Sequence, residues 1–388
     1  MLDVAAIMRP WWDRFRTDHG DLDLFDAHTH IGAADPDGAR QTPQQLLGVL
    51  AAAGARGVVF PLHEPDGYPP ANDRVLQAAA DSAGRLTAFC RVDPRADAVT
   101  EARRCLDAGA KGIKLHPRAE RFTLSEPTVR DIIALAHERT VPVLIHAGRG
   151  IPALGQDTVR LSGEFTGARL ILAHAAISDL AWLWRVLPEH PNLFIDTAWW
   201  DPADLIALFT LAPSANILWA SDSPYGLPLM SAVLHLRLAV QAGVTADALR
   251  SIAGGQLERI LQGGDPEPAG PPPPAGEPLD PLLERTVSHL NQAIGRSFDH
   301  GDPEEPLALA RLACAVGEDA PHADVFAAVL ELLDLYEEHR APPPPGFRFP
   351  EVLRLLLMAT TIARTPDVPL PERPQAPAPT RAEAEHTT

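Results

Sequence analysis

Residues Leu22–Gly32 read LDLFDAHTHIG, an apolar run that ends in Asp26-Ala-His28-Thr-His30. Side chains alternate along an extended strand, so His28 and His30 share one face. The design recurs down the chain. Short runs rich in Val, Ile, Leu and Phe occupy Leu22–His30, Gly57–His63, Leu86–Asp93, Gly112–His116, Val141–Ala147, Arg169–Ala175, Leu193–Thr197 and Ile217–Asp222. Amphipathic helical stretches fit between them, among them Pro43–Ala53, Asn72–Ala83, Ala98–Ala108, Val129–Arg139, Asp179–Leu187 and Pro202–Leu211. Glycine or proline marks the junctions, as at Ala110–Gly112. Eight strands alternating with helices over about 250 residues predict an α/β fold, a (β/α)8 TIM barrel. The competing arrangement is an open doubly wound sheet, but no GxGxxG follows any run.

Barrel strands carry their chemistry at the C-terminal ends. The fourth run ends in Lys114-Leu-His116, the fifth in His146, the sixth in His174 and the eighth in Asp222. Five histidines, a lysine and an aspartate therefore gather on one rim. Clustered imidazolium ions would repel one another, whereas neutral imidazoles suit a metal ion. An HxH pair is a weak signal in a chain with 15 histidines; its position after the first strand gives it force. His63, ending the second run, reads equally well as a hydrogen-bonding residue. His19, His137, His190 and His235 fall in loops or helices and read as surface or packing residues. His289, His300, His322, His339 and His386 lie beyond the barrel and read the same way.

Composition narrows the function. Acidic residues number 51 against 33 basic in 388, a net charge of −18. That argues against nucleic acid and against an anionic membrane surface as partners. Cys90, Cys105 and Cys314 are too few and scattered for a disulfide framework or a cysteine zinc site, so a reducing, cytoplasmic setting is expected. The N-terminus lacks a signal-peptide pattern, because Asp3, Asp13 and Arg14 interrupt it. No apolar run is long enough to span a membrane. Lys111 and Lys114 are the only lysines, against 31 arginines.

Prolines divide the chain: 22 of 40 follow Gly264. The barrel is expected over residues 1–264, with an extended Pro-rich linker over 265–281. A helical region follows over 282–365 and a disordered tail over 366–388. Its helical patterns run roughly Leu279–Phe298, Glu304–Val316, His322–His339 and Pro350–Ala363, and carry no chemical motif. After Gly264 there are 21 acids and 9 bases. These amphipathic helices, between stiff connections at Pro271–Pro274 and Pro342–Pro345, are expected to form a separate unit that packs on a protein partner or a second copy of the chain and supplies no catalytic group; covering the barrel mouth, which the linker is long enough to allow, is the alternative.

The motifs FDAHTHIG (Phe25–Gly32), GIKLHP (Gly112–Pro117), LIHAG (Leu144–Gly148), LAHA (Leu172–Ala175), FIDTA (Phe194–Ala198), WASDSPYG (Trp219–Gly226) and GGQLERIL (Gly254–Leu261) follow in order. Together they resemble the amidohydrolase superfamily, and within it the group containing aminocarboxymuconate-semialdehyde decarboxylase and pyrone-dicarboxylate lactonase. Gly255 departs from the usual asparagine. The resemblance covers about Asp21 to Gly263. It implies one divalent metal, usually Zn2+, held by His28, His30, His146 and Asp222, with His174 close to the metal-bound water. Such an ion makes hydroxide available near neutral pH. Asp222 would shuttle the proton, and His174 would orient the nucleophile or stabilise the oxyanion.

Lys114 is read as a charge that binds a substrate carboxylate or polarises its carbonyl; a metal-bridging carboxylated lysine and an ion pair with Asp26 are the alternatives. His116, Arg118, Arg121 and Arg149 are candidate substrate contacts, and Trp199, Trp200 and Tyr225 a candidate aromatic wall. The reaction expected is hydrolysis of an amide, lactone or ester bond in a small substrate. A nonoxidative decarboxylase on the same scaffold and a non-catalytic metal-binding scaffold are the rivals.

Overall fold

The apolar runs pair in sequence order in the computed structural model of the chain, which describes residues 2–36, 38–268, 270–274, 276–299, 301–340 and 351–372. The strands are β1 (Phe25–Ile31), β2 (Arg56–Pro61), β3 (Leu86–Arg91), β4 (Gly112–Leu115), β5 (Pro142–Ile145), β6 (Arg169–Leu172), β7 (Leu193–Asp196) and β8 (Ile217–Leu218). Each neighbouring pair is parallel. The residues after β8 return to β1: Asp222 N donates to His28 O at 2.9 Å and His30 N to Ser223 O at 2.8 Å. The fold is therefore the expected TIM barrel.

Helix α1 (Val4–His19) precedes β1. Helices α2 (Pro43–Ala53), α3 (Pro69–Asp81), α4 (Ala98–Asp107), α5 (Pro117–Glu120), α6 (Pro127–Arg139), α7 (Leu154–Glu164), α8 (Leu180–Leu183) and α9 (Pro202–Leu211) lie between strands. Helices α10 (Pro228–Gln241), α11 (Ala246–Arg250) and α12 (Gln256–Leu261) follow β8. The helix expected over Asp179–Leu187 shrinks to α8 and a 3-10 turn at Leu187–Glu189, with i→i−3 bonds from Arg185 N to Trp182 O and from Val186 N to Leu183 O between them.

Strand alternation builds two cores. Phe25, Phe60, Phe89, Leu144, Ile171, Phe194 and Leu218 fill the barrel interior. Ile113, Val143, Ile145, Leu170 and Ile195 face outward onto the helices. Leu257 and Ile260 of α12 join the interior cluster, so α12 plugs the N-terminal end. The chain there passes so close that a Cβ on Gly254 would stand 2.3 Å from the Asp23 carbonyl oxygen.

Beyond the barrel lie α13 (Pro281–Phe298), α14 (Glu304–Ala313), α15 (Ala323–His339) and α16 (Leu353–Arg364). Helix α16 packs against α13 and α15 and also against α9 and α10 of the barrel. Residues 355–363 are all buried, as the outward core of the barrel continues into the helical region. Of the tail, residues to 372 are described, and Val368 is buried. His300, the proline run 342–345, the start of the fourth helical pattern at Pro350 and the tail beyond 372 lie outside the described residues. No helix among the described residues is long and apolar enough to cross a membrane.

A buried guanidinium fastens the two regions. Arg237 of α10 donates to the carbonyls of Pro369 (2.8 Å) and Val368 (2.9 Å) and to Thr365 Oγ1 (3.1 Å). Burial lowers its pKa to about 9. Arg237→Ala should lower the unfolding free energy by about 2–4 kcal/mol, since several buried carbonyls lose their donor. Urea denaturation measures this, and a change under about 0.5 kcal/mol would show the clamp to be idle.

Candidate metal centre at the barrel mouth

Tautomers at the mouth are set from outside. His28 Nδ1–H donates to Asp196 Oδ2 at 2.9 Å, a carboxylate at the end of β7. His30 Nδ1 faces the Pro61 carbonyl of β2 at 3.4 Å. An acceptor behind Nδ1 leaves Nε2 with a bare lone pair. His28 Nε2 then lies 3.3 Å, and His30 Nε2 3.1 Å, from the same oxygen, Asp222 Oδ1. Donor atoms of His28, His30 and Asp222 all lie within 4.8 Å of one another. Three electron-rich atoms thus converge with no proton between them, an arrangement that a cation would stabilise. Burial, together with the nearby cations and imidazoles, holds both ring pKa values well below the ordinary histidine range.

His146 stands beside this trio. Its Nδ1 meets His174 Nε2 at 2.8 Å, and its ring stacks on His116 at 3.7 Å. Its Nε2 is buried without a hydrogen-bond partner and abuts Gly148, where a Cβ would be only 2.6 Å away. His174 Nδ1–H donates to the Ala198 carbonyl at 2.7 Å, so its Nε2 accepts from His146. The same Nδ1 lies 4.0 Å from Asp222 Oδ2. Both His174 (φ 59°) and Asp222 (φ 60°) occupy the left-handed region, which costs non-glycine residues energy and recurs at functional sites.

Lys114 is buried with its Nζ 3.4 Å from His28 Nε2 and 4.8 Å from the centre of the Phe60 ring. Desolvation and the Arg91 cation lower its pKa, against attraction from Asp196, Asp222 and Glu120. The ion pair considered with Asp26 is not what holds it. Asp26 Oδ1 accepts the amides of Ser221 (3.0 Å) and His28 (3.1 Å), bracing β1 against the chain after β8. Burial raises Asp26 to about pKa 7. Desolvation also raises Asp222 and Asp196.

The outer residues divide. His116 accepts from Ala119 N at 3.2 Å, capping α5, so it is engaged as well as close. Arg118, Arg121 and Arg149 are exposed on the rim. The Trp199 ring lies 6.2 Å from His174, and Trp200 lies 5.5 Å from Trp199. The Tyr225 ring lies 5.9 Å from His30, and its hydroxyl donates to Asp35 Oδ2 at 3.2 Å.

Sequence reasoning missed three groups. Asp196 sat inside the FIDTA motif, yet only its strand-end position marked it. Arg91 and Glu120 form a fully buried ion pair of 2.7 Å, with Tyr68 also donating to Glu120. Arg91 ends β3 and was the matching strand-end signal. Replacing Asp196 by Asn removes a charged acceptor behind His28. Affinity for Mn2+ should fall about 10–100-fold with the fold intact. Titration calorimetry checks this, and unchanged affinity would remove Asp196 from the centre.

Comparison with known proteins agrees with this architecture. The 5-carboxyvanillate decarboxylase of Sphingomonas paucimobilis superposes with a TM-score of 0.50 at 18% identity, over 62% of this chain and 99% of that one. A 2,6-dihydroxybenzoate decarboxylase from Rhizobium gives 0.50 at 16%, over 62% and 99%. An uncharacterised TIM-barrel protein from Bordetella bronchiseptica gives 0.51 at 16%, over 62% and 99%. These likenesses show the fold. No curated protein matches the chain. Residues 25–255 match the Amidohydrolase family, and with more than half of its length inside that match the chain belongs to this family of TIM-barrel enzymes, which use a divalent metal.

Proposed function

We propose that the chain is a metal-dependent hydrolase that cleaves an amide, lactone or ester bond in a small substrate. The observation that supports it most is the convergence of His28 Nε2, His30 Nε2 and Asp222 Oδ1 beside a buried lysine. Neutral imidazoles and a carboxylate are a donor set that suits Zn2+, and the outer acceptors orient it, so the residues fit the group. His28, His30 and Asp222 would hold the ion, and His146, whose buried Nε2 has no hydrogen-bond partner, is the candidate fourth ligand. The ion supplies a Lewis acid that polarises the scissile carbonyl and acidifies water.

The chain's own residues do the rest. Asp222 takes the proton of the attacking water and returns it to the leaving atom, as a carboxylate at the centre of the mouth can. His174, fixed by the Ala198 carbonyl, keeps its ring against Asp222. Lys114 receives a carboxylate or carbonyl oxygen of the substrate; its amine is buried, opposed by the Arg91 cation and attracted by Asp196, Asp222 and Glu120. Arg118 and Arg149 attract anionic substrates to the rim, and Trp199, Trp200 and Tyr225 exclude water from it.

Nonoxidative decarboxylation is the second reading, favoured by the buried cations Lys114 and Arg91 at the mouth. Two solved structures of similar fold are named for that reaction. There the same Asp222 would deliver a proton to carbon. A panel of lactones, aryl esters, amides, 2,6-dihydroxybenzoate and 5-carboxyvanillate separates the two. Release of acid without CO2 supports hydrolysis, and release of CO2 replaces it with decarboxylation.

Two measurements bear on the centre itself. Elemental analysis of chelator-free protein should find about one divalent ion per chain. A folded chain without metal would sink this function, and near two equivalents would restore the carboxylated Lys114. Asp222→Asn should cut turnover by on the order of 10² or more. Near-normal turnover would remove Asp222 from proton transfer.

A further inference from the structure

The helical region after the barrel lies outside the family match, which ends at residue 255. It nevertheless reaches the mouth at two places. Phe298, the last residue of α13, sets its ring 4.9 Å from Trp200. Arg354, in the first turn of α16, donates to the Tyr225 carbonyl at 3.4 Å. Trp200 belongs to the loop after β7 and Tyr225 to the loop after β8. The first contact completes an unbroken row of rings: His174 to Trp199 at 6.2 Å, Trp199 to Trp200 at 5.5 Å, Trp200 to Phe298 at 4.9 Å.

From the other side, His235 of α10 meets Thr197 Oγ1 at 3.1 Å, and Asp204 of α9 accepts from Trp199 Nε1 at 2.6 Å. The β7 loop is therefore clamped between barrel helices and α13. The Arg237 clamp two residues from His235, and the packing of α16 on α9 and α10, fix the helical region itself. A side chain that touches both units near the site can set loop position without touching the reacting atoms.

We infer that the C-terminal helical region is a specificity element of the mouth, in which Phe298 and Arg354 are positioning residues that hold the Trp199–Trp200 and Tyr225 loops in their substrate-facing places. The inference rests on the function proposed above only where it concerns substrate; loop positioning stands by itself. It also gives the helical region a role within its own chain.

Full-length protein loaded with Mn2+ tests it by hydrogen exchange. In Phe298→Ala, amides of 197–203 should exchange at least about fivefold faster; in Arg354→Ala, those of 222–228 should do so. Exchange in β4 and β5 and the Mn2+ content should not change. Phe298→Tyr and Arg354→Lys, which keep a ring and a donor, should restore protection. Unchanged loop exchange in both alanine variants overturns the inference, as does loosening of the whole barrel. With a substrate found in the panel, KM should rise at least about fivefold while kcat stays within about twofold. An unchanged KM in loosened variants overturns the specificity role. Absence of Mn2+ from the wild-type protein would defeat the proposed function and leave the exchange result to judge loop positioning.

Discussion

Which nitrogen of each imidazole faces inward is the constraint on which the site depends. A free imidazole has two tautomers of similar energy, so a strand-end histidine by itself defines no site. Asp196 behind His28 and the Pro61 carbonyl behind His30 settle the matter for both rings. Those acceptors come from β7 and β2, so the tautomers are set only once the barrel has brought both strands to β1. The Ala198 carbonyl does the same for His174 from the chain after β7. The barrel thus arranges lone pairs as well as side chains.

The same burial that orients these groups makes their charges expensive. Lys114, Arg91, Glu120, Asp196 and Asp26 are all buried. None could be ionised alone in such a place at reasonable cost. They are tolerable because Arg91 pairs with Glu120, Lys114 is attracted by Asp196, Asp222 and Glu120, and backbone amides donate to Asp26. Left-handed backbone at His174 and Asp222 adds a further cost at the two places where a side chain must turn from its strand toward the centre.

The barrel and its rim were legible because both follow from periodicity: apolar runs alternate with amphipathic stretches, and polar residues stand at strand ends. The partners of those residues were not. Asp196 and the Pro61 carbonyl are distant in sequence from the histidines they orient, and a backbone acceptor leaves no trace in composition. Lys114 was visible as one of two lysines, yet its neighbour Arg91 was one arginine among 31. Amphipathicity showed that the later helices had an apolar face. It could not say that α16 would lay part of its surface on α9 and α10, because a hydrophobic face carries no address. For α1 the pattern Val4, Met8, Trp12, Phe15 was present and corresponds to its buried side against α10.

Arg237 has a consequence for the order in which this protein matures. Its acceptors, Thr365, Val368 and Pro369, are more than 120 residues downstream. A ribosome releases the chain from its N-terminus, and domains usually fold as they emerge. Here the outer surface of α10 and the guanidinium within it wait for nearly the whole polypeptide before they are covered. The nascent barrel consequently presents an uncovered apolar strip through the synthesis of the proline-rich joint and three helices. That strip is sealed only when the fourth helix arrives with the segment that accepts from the guanidinium, so this seam of the fold is completed last.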